Sequence, residues 1–294
     1  MFFKNLYGKD IPQGDHHIDP SKIQEWNDFT YHNKTVTNTD HSQLNEEINF
    51  AELDAAIHKL KNNKSSAEDL ITNEMLKNLT IKARQCIQKL FNICLESGIY
   101  PWDTSVITPL LKSGNANDPD NYRPIAVSSC LGKLFSTILL DRLICFRREF
   151  CPDSPNQLGF CKGSQTNDHV FTLKTIIDKY IKTQKRGKNK VYSCFVDLKK
   201  AFDTVCRSAL LYKLVNLNVR GSFFNVLENM YNNSHAKIKI SGKLSEALDI
   251  LSGTEQGHPM SPELFKIFLY DLSDELDVCE NAPQLYDMLS LIHI

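Results

Sequence analysis

A short apolar run, Val191 to Val196, ends at the carboxylate of Asp197 and constrains the fold more than any other segment. Its length between polar flanks predicts a buried β-strand. A helix is predicted to follow over residues 199–217, which would place the ring of Phe202 in the first helical turn. Mg²⁺ prefers hard oxygen ligands and keeps waters and substrate phosphates in its shell. The segment therefore predicts a metal ligand at a strand end, with an aromatic ring beside whatever the metal holds.

The order of predicted elements indicates an α+β fold, with helices on one face of an antiparallel sheet. Apolar residues recur at helical spacing from about Glu46 to Leu60. An edge strand is predicted from Val106 to Leu111, because Pro109 cannot donate a ladder hydrogen bond. The remaining predictions are helices over 72–79, 81–97, 129–150, 165–183, 222–232 and 262–278. A hairpin is predicted over 237–251, with a turn at Ser241–Lys243.

A second motif, Gly253 to Pro262, joins a glycine-rich loop to the start of a helix. Gly253 and Gly257 flank Gln256, and glycine lets a backbone approach a ligand closely. The Gln256 amide offers both a donor and an acceptor, and a helix N-terminus favours anions. The motif therefore predicts a ligand-binding loop.

Two basic segments are candidates to hold a triphosphate. Asn121–Ile125 carries Arg123, and Gln157–Ser164 carries Lys162 in a glycine-rich turn before a helix. For each segment taken alone, a surface turn with a solvated cation is the preferred interpretation.

Taken together and in this order, these motifs resemble the reverse transcriptases of non-LTR (LINE-type) retrotransposons. The resemblance extends from about Leu53 to Met288. It rests on four ordered segments: Asn121–Phe135, Gln157–Gly163, Asp197–Asp203 and Gln256–Leu272.

The resemblance implies a right-hand polymerase with fingers and palm, an antiparallel palm sheet backed by helices, and no thumb. It implies addition of dNTPs to the 3′ end of a DNA primer on an RNA template, with two Mg²⁺ (or Mn²⁺) ions. Asp197 would be a catalytic metal ligand, and Phe202 the steric gate that excludes a ribose 2′-OH; Asp203 is expected to cap or pair locally. The implied nucleotide-binding residues are Phe202, Gln256, Gly257, Arg123, Lys112 and Lys162.

The expected division of the chain has four parts. Residues 1–44 would be a polar tail or linker, 45–103 a helical extension, 104–288 the fingers and palm, and 289–294 an atypical C-terminal end.

The match breaks where the family has an aromatic-Ala-Asp-Asp segment that supplies the other metal carboxylates. This chain has Tyr286 followed directly by Asp287, so Asp287 is the only candidate there for a second catalytic carboxylate. Removing a member of a catalytic set that acts as a unit costs several orders of magnitude in rate. We therefore expect a truncated reverse transcriptase domain with little or no activity.

Composition and charge indicate where in the cell the protein is expected and which part of it could bind RNA. No apolar run approaches the roughly 18–20 residues of a membrane helix, and the nine cysteines contain no Cys-x-x-Cys pair. Without a signal peptide, these features predict a nuclear or cytoplasmic protein that is not secreted. The net charge is −1, but a basic run lies between Lys174 and Lys190. Its candidate RNA-binding residues are Lys182, Lys185, Arg186, Lys188 and Lys190; a solvated helix end is an equal interpretation.

Two other functions compete with reverse transcription. A non-catalytic RNA-binding remnant of a retrotransposon is favoured by the basic run, and its RNA binding would be salt-dependent and indifferent to Asp197→Asn. An RNA-directed RNA polymerase shares a palm of this type, but Phe202 argues against it because such an enzyme must admit the 2′-OH.

Overall fold

The computed structural model describes residues 18–34, 43–153, 157–182, 193–198 and 200–272. The chain divides into two compact units. The larger contains the described residues up to Cys151 together with Phe202–Phe268, and the smaller contains those from Pro152 to Ala201 and from Leu269 onward. Within the described ranges, no helix is both long and apolar enough to cross a bilayer.

The described residues form an α+β arrangement in which helices back a mostly antiparallel sheet, as predicted. The helices are α1 Pro20–Asn33, α2 Phe50–Lys59, α3 Asn73–Lys77, α4 Ile81–Ser97, α5 Cys130–Phe150, α6 Thr166–Lys182, α7 Arg207–Asn216, α8 Gly221–Asn232 and α9 Ser261–Phe268. The strands are β1 Thr104–Leu111, β2 Tyr122–Val127, β3 His235–Ile240, β4 Lys243–Leu244 and β5 Leu248–Asp249.

Helix α1 corrects the expectation that residues 1–44 are a tail. Asp19 caps the helix, because its side chain accepts a hydrogen bond of 2.9 Å from the Ser21 N–H, and proline occupies the first helical position. Phe29 packs edge-on against Tyr212 of α7, with ring centroids 5.0 Å apart. Asp19 and Pro20 form a helix-start signal in the sequence, but apolar residues recur too weakly along this helix for the sequence pattern to predict it.

The sheet has the strand order β2-β1-β3-β4, with β5 also pairing with β3. Strand β1 pairs antiparallel with β2 and parallel with β3, so the prediction that β1 is an edge strand is wrong. Pro109 is tolerated because β3 pairs only with Thr104 to Ile107, and Pro109 lies opposite Pro124 in β2. The turn predicted at Ser241–Lys243 is confirmed at Ser241 and Gly242, whereas Lys243 begins β4 and pairs with Ile240.

The strand predicted from Val191 to Val196 is not found over its described part. Residues 193–198 have no regular secondary structure, and Phe195 and Val196 are 83% and 80% exposed. An apolar run becomes a strand only when neighbouring strands take its N–H and C=O groups. No described strand pairs with residues 193–198.

The core of the larger unit contains an aromatic cluster. Phe91 of α4 packs against Phe135 of α5 with ring centroids 4.9 Å apart, and Tyr100 stacks on the same Phe135 ring at 6.3 Å. All three side chains are buried. Aromatic side chains bury large areas and favour such offset contacts, so α4 and α5 are held firmly together.

Candidate active site

The predicted helix over 199–217 begins only at Arg207, so the placement of Phe202 in a helical turn is wrong. Residues 200–204 form turns, and Lys200 has a left-handed φ of 54°. The backbone carbonyls that would start a helix accept distant donors instead. Thr254 N–H donates to Phe202 O at 2.8 Å, and Gly253 N–H donates to Val205 O at 2.9 Å. Residues 200–204, called the Phe202 turn, are therefore joined to the segment that leads into residues 255–260, called the Gln256 loop.

Asp203 and Gln256 form a side-chain pair across this junction. The Gln256 Nε2 lies 3.1 Å and 3.0 Å from the two carboxylate oxygens of Asp203. Asp203 is only 5% exposed, whereas Gln256 is half-buried. Asp203 was expected to cap or pair locally, and the Gln256 amide is a partner that lies 53 residues further along the chain.

The ring of Phe202 is half-buried and is held from one side. Phe265, in α9, lies 5.0 Å from it between ring centroids and is itself buried. Because α9 begins directly after the Gln256 loop, the same stretch of chain contacts both Phe202 and Asp203. A ring fixed in this way can act as a rigid wall.

The Gln256 loop also packs along β2. Ala126 N–H donates to Gln256 O at 3.3 Å, and Ser128 Oγ donates to a carboxylate oxygen of Glu255 at 2.9 Å. Gly257 is exposed and adopts a φ of 101°. These bonds bring together Ala126, Asp203 and Gln256, which come from three different sequence motifs.

His258 anchors the other end of the loop in the interior. Its Nε2 lies 3.1 Å from Ser136 Oγ and 3.5 Å from Tyr100 Oη, and Met260 N–H donates to its Nδ1 at 3.4 Å. Burial lowers the pKa of His258, while Glu255 raises it and Lys133 lowers it further. A neutral ring fits this arrangement, since Nδ1 accepts a hydrogen bond.

An ionic cluster ties α9 to the end of α5. Glu263 pairs with Arg147, and its other oxygen lies 2.9 Å from Lys266 Nζ. All three side chains are buried. Because unpaired charges in an interior are costly, this cluster fixes the helix that carries Phe265.

The two predicted phosphate-binding residues of the larger unit lie on the β1–β2 hairpin. Arg123 is exposed on β2 opposite Leu110, and Lys112 follows β1 with its N–H donating to Asn121 O at 2.8 Å. Side chains two residues apart along a strand share a face. The hairpin therefore places Arg123 and Lys112 on one exposed face, where their role in nucleotide binding stays a prediction.

The smaller unit carries Asp197 and Lys162, both exposed. Lys162 lies in the turn before α6, where Cys161 Sγ is 3.1 Å from Gln157 O. The side chain of Lys182 and the residues Lys185, Arg186, Lys188, Lys190 and Asp287 lie outside the described residues.

Among the described residues, no group of three or more His, Cys, Asp or Glu side chains is placed to hold a metal ion. Asp197 supplies one carboxylate, which is fewer ligands than Mg²⁺ or Mn²⁺ takes from protein and substrate together. The described side chains alone do not fit a complete metal centre.

Three contacts at the site escaped prediction from sequence. They are the Asp203–Gln256 pair, the Ser128–Glu255 bond and the His258–Ser136 contact. Each joins residues more than 50 positions apart, so no local spacing reveals it. For the first two, the presence of their residues in separate motifs is the one sequence signal that they lie at one site.

The family comparison matches residues 111–288 to the reverse transcriptase (RNA-dependent DNA polymerase) family. This range includes every motif described above from the β2 segment onward.

Individual relatives come from mobile elements. The chain is 28% identical over 245 residues to the probable RNA-directed DNA polymerase from transposon BS of Drosophila melanogaster, covering 82% of this chain and 26% of that protein. It is 27% identical over 236 residues to the RNA-directed DNA polymerase from mobile element jockey of the same species, covering 79% and 25%. It is 30% identical over 174 residues to the retrovirus-related Pol polyprotein from type-1 retrotransposable element R2 of Popillia japonica, covering 58% of this chain and 23% of that protein.

The chain thus spans about a quarter of the length of these curated relatives. It belongs to the reverse transcriptase family, and its relatives are RNA-directed DNA polymerases of non-LTR retrotransposons.

Proposed function

We propose that this chain forms the nucleotide-binding part of an RNA-directed DNA polymerase, with fingers and palm, that adds dNTPs to a DNA primer on an RNA template. The observation that carries the proposal is the junction of Phe202, Asp203 and Gln256. Three separate motifs meet there through hydrogen bonds and a ring contact.

In this proposal Phe202 and Gln256 of the junction, and three residues outside it, each have one role. Phe202, braced by Phe265, is the wall that excludes a ribose 2′-OH by steric contact. Gln256 and Gly257 line the pocket of the incoming nucleotide, where the absence of a side chain at Gly257 leaves room. Arg123 and Lys112 offset triphosphate charge, and the planar fork of donors on Arg123 suits phosphate oxygens.

The cofactor is proposed to be Mg²⁺ or Mn²⁺, with two ions in the complete enzyme, and Asp197 is its proposed ligand. Such ions supply charge neutralisation and in-line positioning in phosphoryl transfer. The chain's own residues supply nucleotide binding, sugar selection and positioning. The proposed partners are an RNA template, a DNA primer and dNTPs, and the basic run near Lys182 is proposed to contact RNA.

The activity of this chain by itself is proposed to be weak or absent, because Tyr286-Asp287 stands where the family has an aromatic-Ala-Asp-Asp segment. The test inserts Ala-Asp between Tyr286 and Asp287 and measures dTTP incorporation on poly(rA)·oligo(dT) with Mg²⁺ or Mn²⁺. Incorporation is expected to rise above that of the unmodified chain and to be abolished by Asp197→Asn.

Insertion of Ala-Asn at the same position is the matched control, since it adds the same length without the carboxylate. It is expected to give no rise. Equal incorporation from the two insertions, or a rise that survives Asp197→Asn, would contradict the proposed carboxylate roles.

A non-catalytic RNA-binding function is the second candidate, and the basic run from Lys174 to Lys190 favours it. RNA affinity would then fall steeply with salt, as expected for phosphate contacts. It would be unchanged by Asp197→Asn, and the Ala-Asp insertion would produce no incorporation.

A further inference from the structure

Asp203 has no role in the proposed function as described so far, yet its carboxylate is buried in the middle of the site. It is only 5% exposed. A buried carboxylate is costly unless hydrogen-bond donors surround it, and the Gln256 amide is a donor within 3.1 Å of both its oxygens. The sequence context of Asp203 gives no hint of this pairing.

The pair determines which way the Gln256 amide faces. A carboxylate offers only acceptor oxygens, whereas the amide has a donor end and an acceptor end. The –NH₂ end must therefore face Asp203, which leaves Oε1 on the other side. Within the described part of the chain, Oε1 has no hydrogen-bond partner.

The backbone of Gln256 is fixed separately. Its carbonyl accepts the Ala126 N–H at 3.3 Å, and Gly253 and Thr254 upstream are bonded to the Phe202 turn. The backbone bonds place the residue, and the Asp203 contact sets the rotation of its side-chain amide.

We propose that Asp203 is a positioning residue of the nucleotide pocket, which acts by holding the Gln256 amide with its carbonyl oxygen turned away from Asp203 and toward the ligand. This inference rests on the proposed function for the identity of the ligand. Its structural part, the orientation of Gln256 by Asp203, stands independently of any activity.

The orientation has a chemical consequence. An oriented Oε1 offers an acceptor to the ligand, so Gln256 would meet a hydrogen-bond donor of the sugar or base and not the anionic triphosphate. The cations on the β1–β2 hairpin are the groups suited to the phosphates.

The experiment combines two readouts on the full chain. The first is the side-chain ¹⁵N amide resonance of Gln256 in glutamine-labelled protein, identified by its loss in Gln256→Ala. The second is the affinity for dTTP of the protein bound to poly(rA)·oligo(dT). Both are measured for Asp203→Ala, for the conservative Asp203→Asn, which keeps one acceptor oxygen, and for Ser252→Ala.

Ser252→Ala is the matched control, because Ser252 Oγ contacts the same turn through the Asp203 carbonyl at 3.4 Å and leaves the carboxylate–amide pair intact. Asp203→Ala is expected to shift the Gln256 resonance and speed its hydrogen exchange, whereas Ser252→Ala leaves both unchanged.

Asp203→Ala is also expected to weaken dTTP binding about tenfold, the scale of a lost hydrogen bond to a charged group. In the Gln256→Ala background, adding Asp203→Ala should weaken dTTP binding by less than about twofold further, since the effects of residues that act through one another are not additive. Asp203→Asn should restore part of the affinity.

An unchanged Gln256 resonance in Asp203→Ala would overturn the inference whatever the nucleotide data. Additive losses of dTTP affinity in the double variant would overturn it too. If the unmodified chain binds no dTTP while the resonance responds as expected, the proposed function fails and the positioning by Asp203 stands. If Asp203→Ala does not fold, Asp203→Asn is compared with Ser252→Ala by the same resonance.

Discussion

Gly253→Ala probes the junction between the Phe202 turn and the Gln256 loop most simply. Gly253 adopts a φ of 81°, and a Cβ at this position would lie 2.7 Å from Asp203 O and 2.8 Å from Phe202 O. Both neighbours are backbone atoms, so they cannot move aside as a flexible side chain does. The substitution must therefore push the two segments apart.

The chain offers a matched control for the backbone conformation. Gly242 has the same φ of 81°, but a Cβ there would meet nothing within 4 Å. A left-handed conformation costs a non-glycine residue about 1–2 kcal/mol, and this cost applies to both substitutions. Overpacking adds about 1–3 kcal/mol at Gly253 alone.

We therefore expect Gly242→Ala to lower the free energy of unfolding by about 1–2 kcal/mol and Gly253→Ala by about 2–5 kcal/mol. Urea denaturation followed by circular dichroism measures both values. Gly253→Ala should also weaken dTTP binding, whereas Gly242→Ala should not. Equal losses of stability in the two variants would show that the close approach at Gly253 is not present in solution.

Two further predictions concern charges in the larger unit. Glu263→Gln removes the carboxylate shared by Arg147 and Lys266, and it should lower the free energy of unfolding, measured in urea, by about 3–5 kcal/mol. The control Glu246→Gln, at an exposed position, should change it by less than about 0.5 kcal/mol. Similar values for the two variants would contradict the buried cluster. Burial lowers the pKa of His258 below its unfolded value of 6.5, so the unfolded chain binds more protons and stability should fall as the pH drops below about 6.5. His258→Asn should reduce this loss between pH 7.5 and pH 5.5, and an unchanged pH profile of urea midpoints would contradict the buried neutral ring.

Much of the helical part of the fold could be predicted from sequence, because helix signals are local. The helix predicted over 129–150 is observed as Cys130–Phe150, and the one predicted over 81–97 is observed as Ile81–Ser97. The apolar period lies within each helix, and the capping residues Thr80, Gly98 and Ser129 lie directly beside them.

The elements that depend on distant partners could not be predicted. The apolar run ending at Val196 has the composition of a strand but no described strand beside it. The helix expected to begin at residue 199 begins at Arg207, because the carbonyls of Phe202 and Val205 bond to Thr254 and Gly253.

Local sequence signals have the same limit at the candidate active site. The motif order predicted the family to which the chain belongs, and the family match to residues 111–288 confirms it. The pairing of Asp203 with Gln256 depends on how two loops approach one another, and no spacing within either motif encodes it.

The most direct test of the proposed account is RNA-templated incorporation of dTTP by the unmodified chain and by Asp197→Asn, measured on poly(rA)·oligo(dT) with Mg²⁺ or Mn²⁺. It asks whether the proposed nucleotide pocket lacks a full set of catalytic carboxylates. We predict incorporation close to the Asp197→Asn background, several orders of magnitude below that of the Ala-Asp insertion variant. Robust incorporation by the unmodified chain that Asp197→Asn abolishes would contradict this prediction.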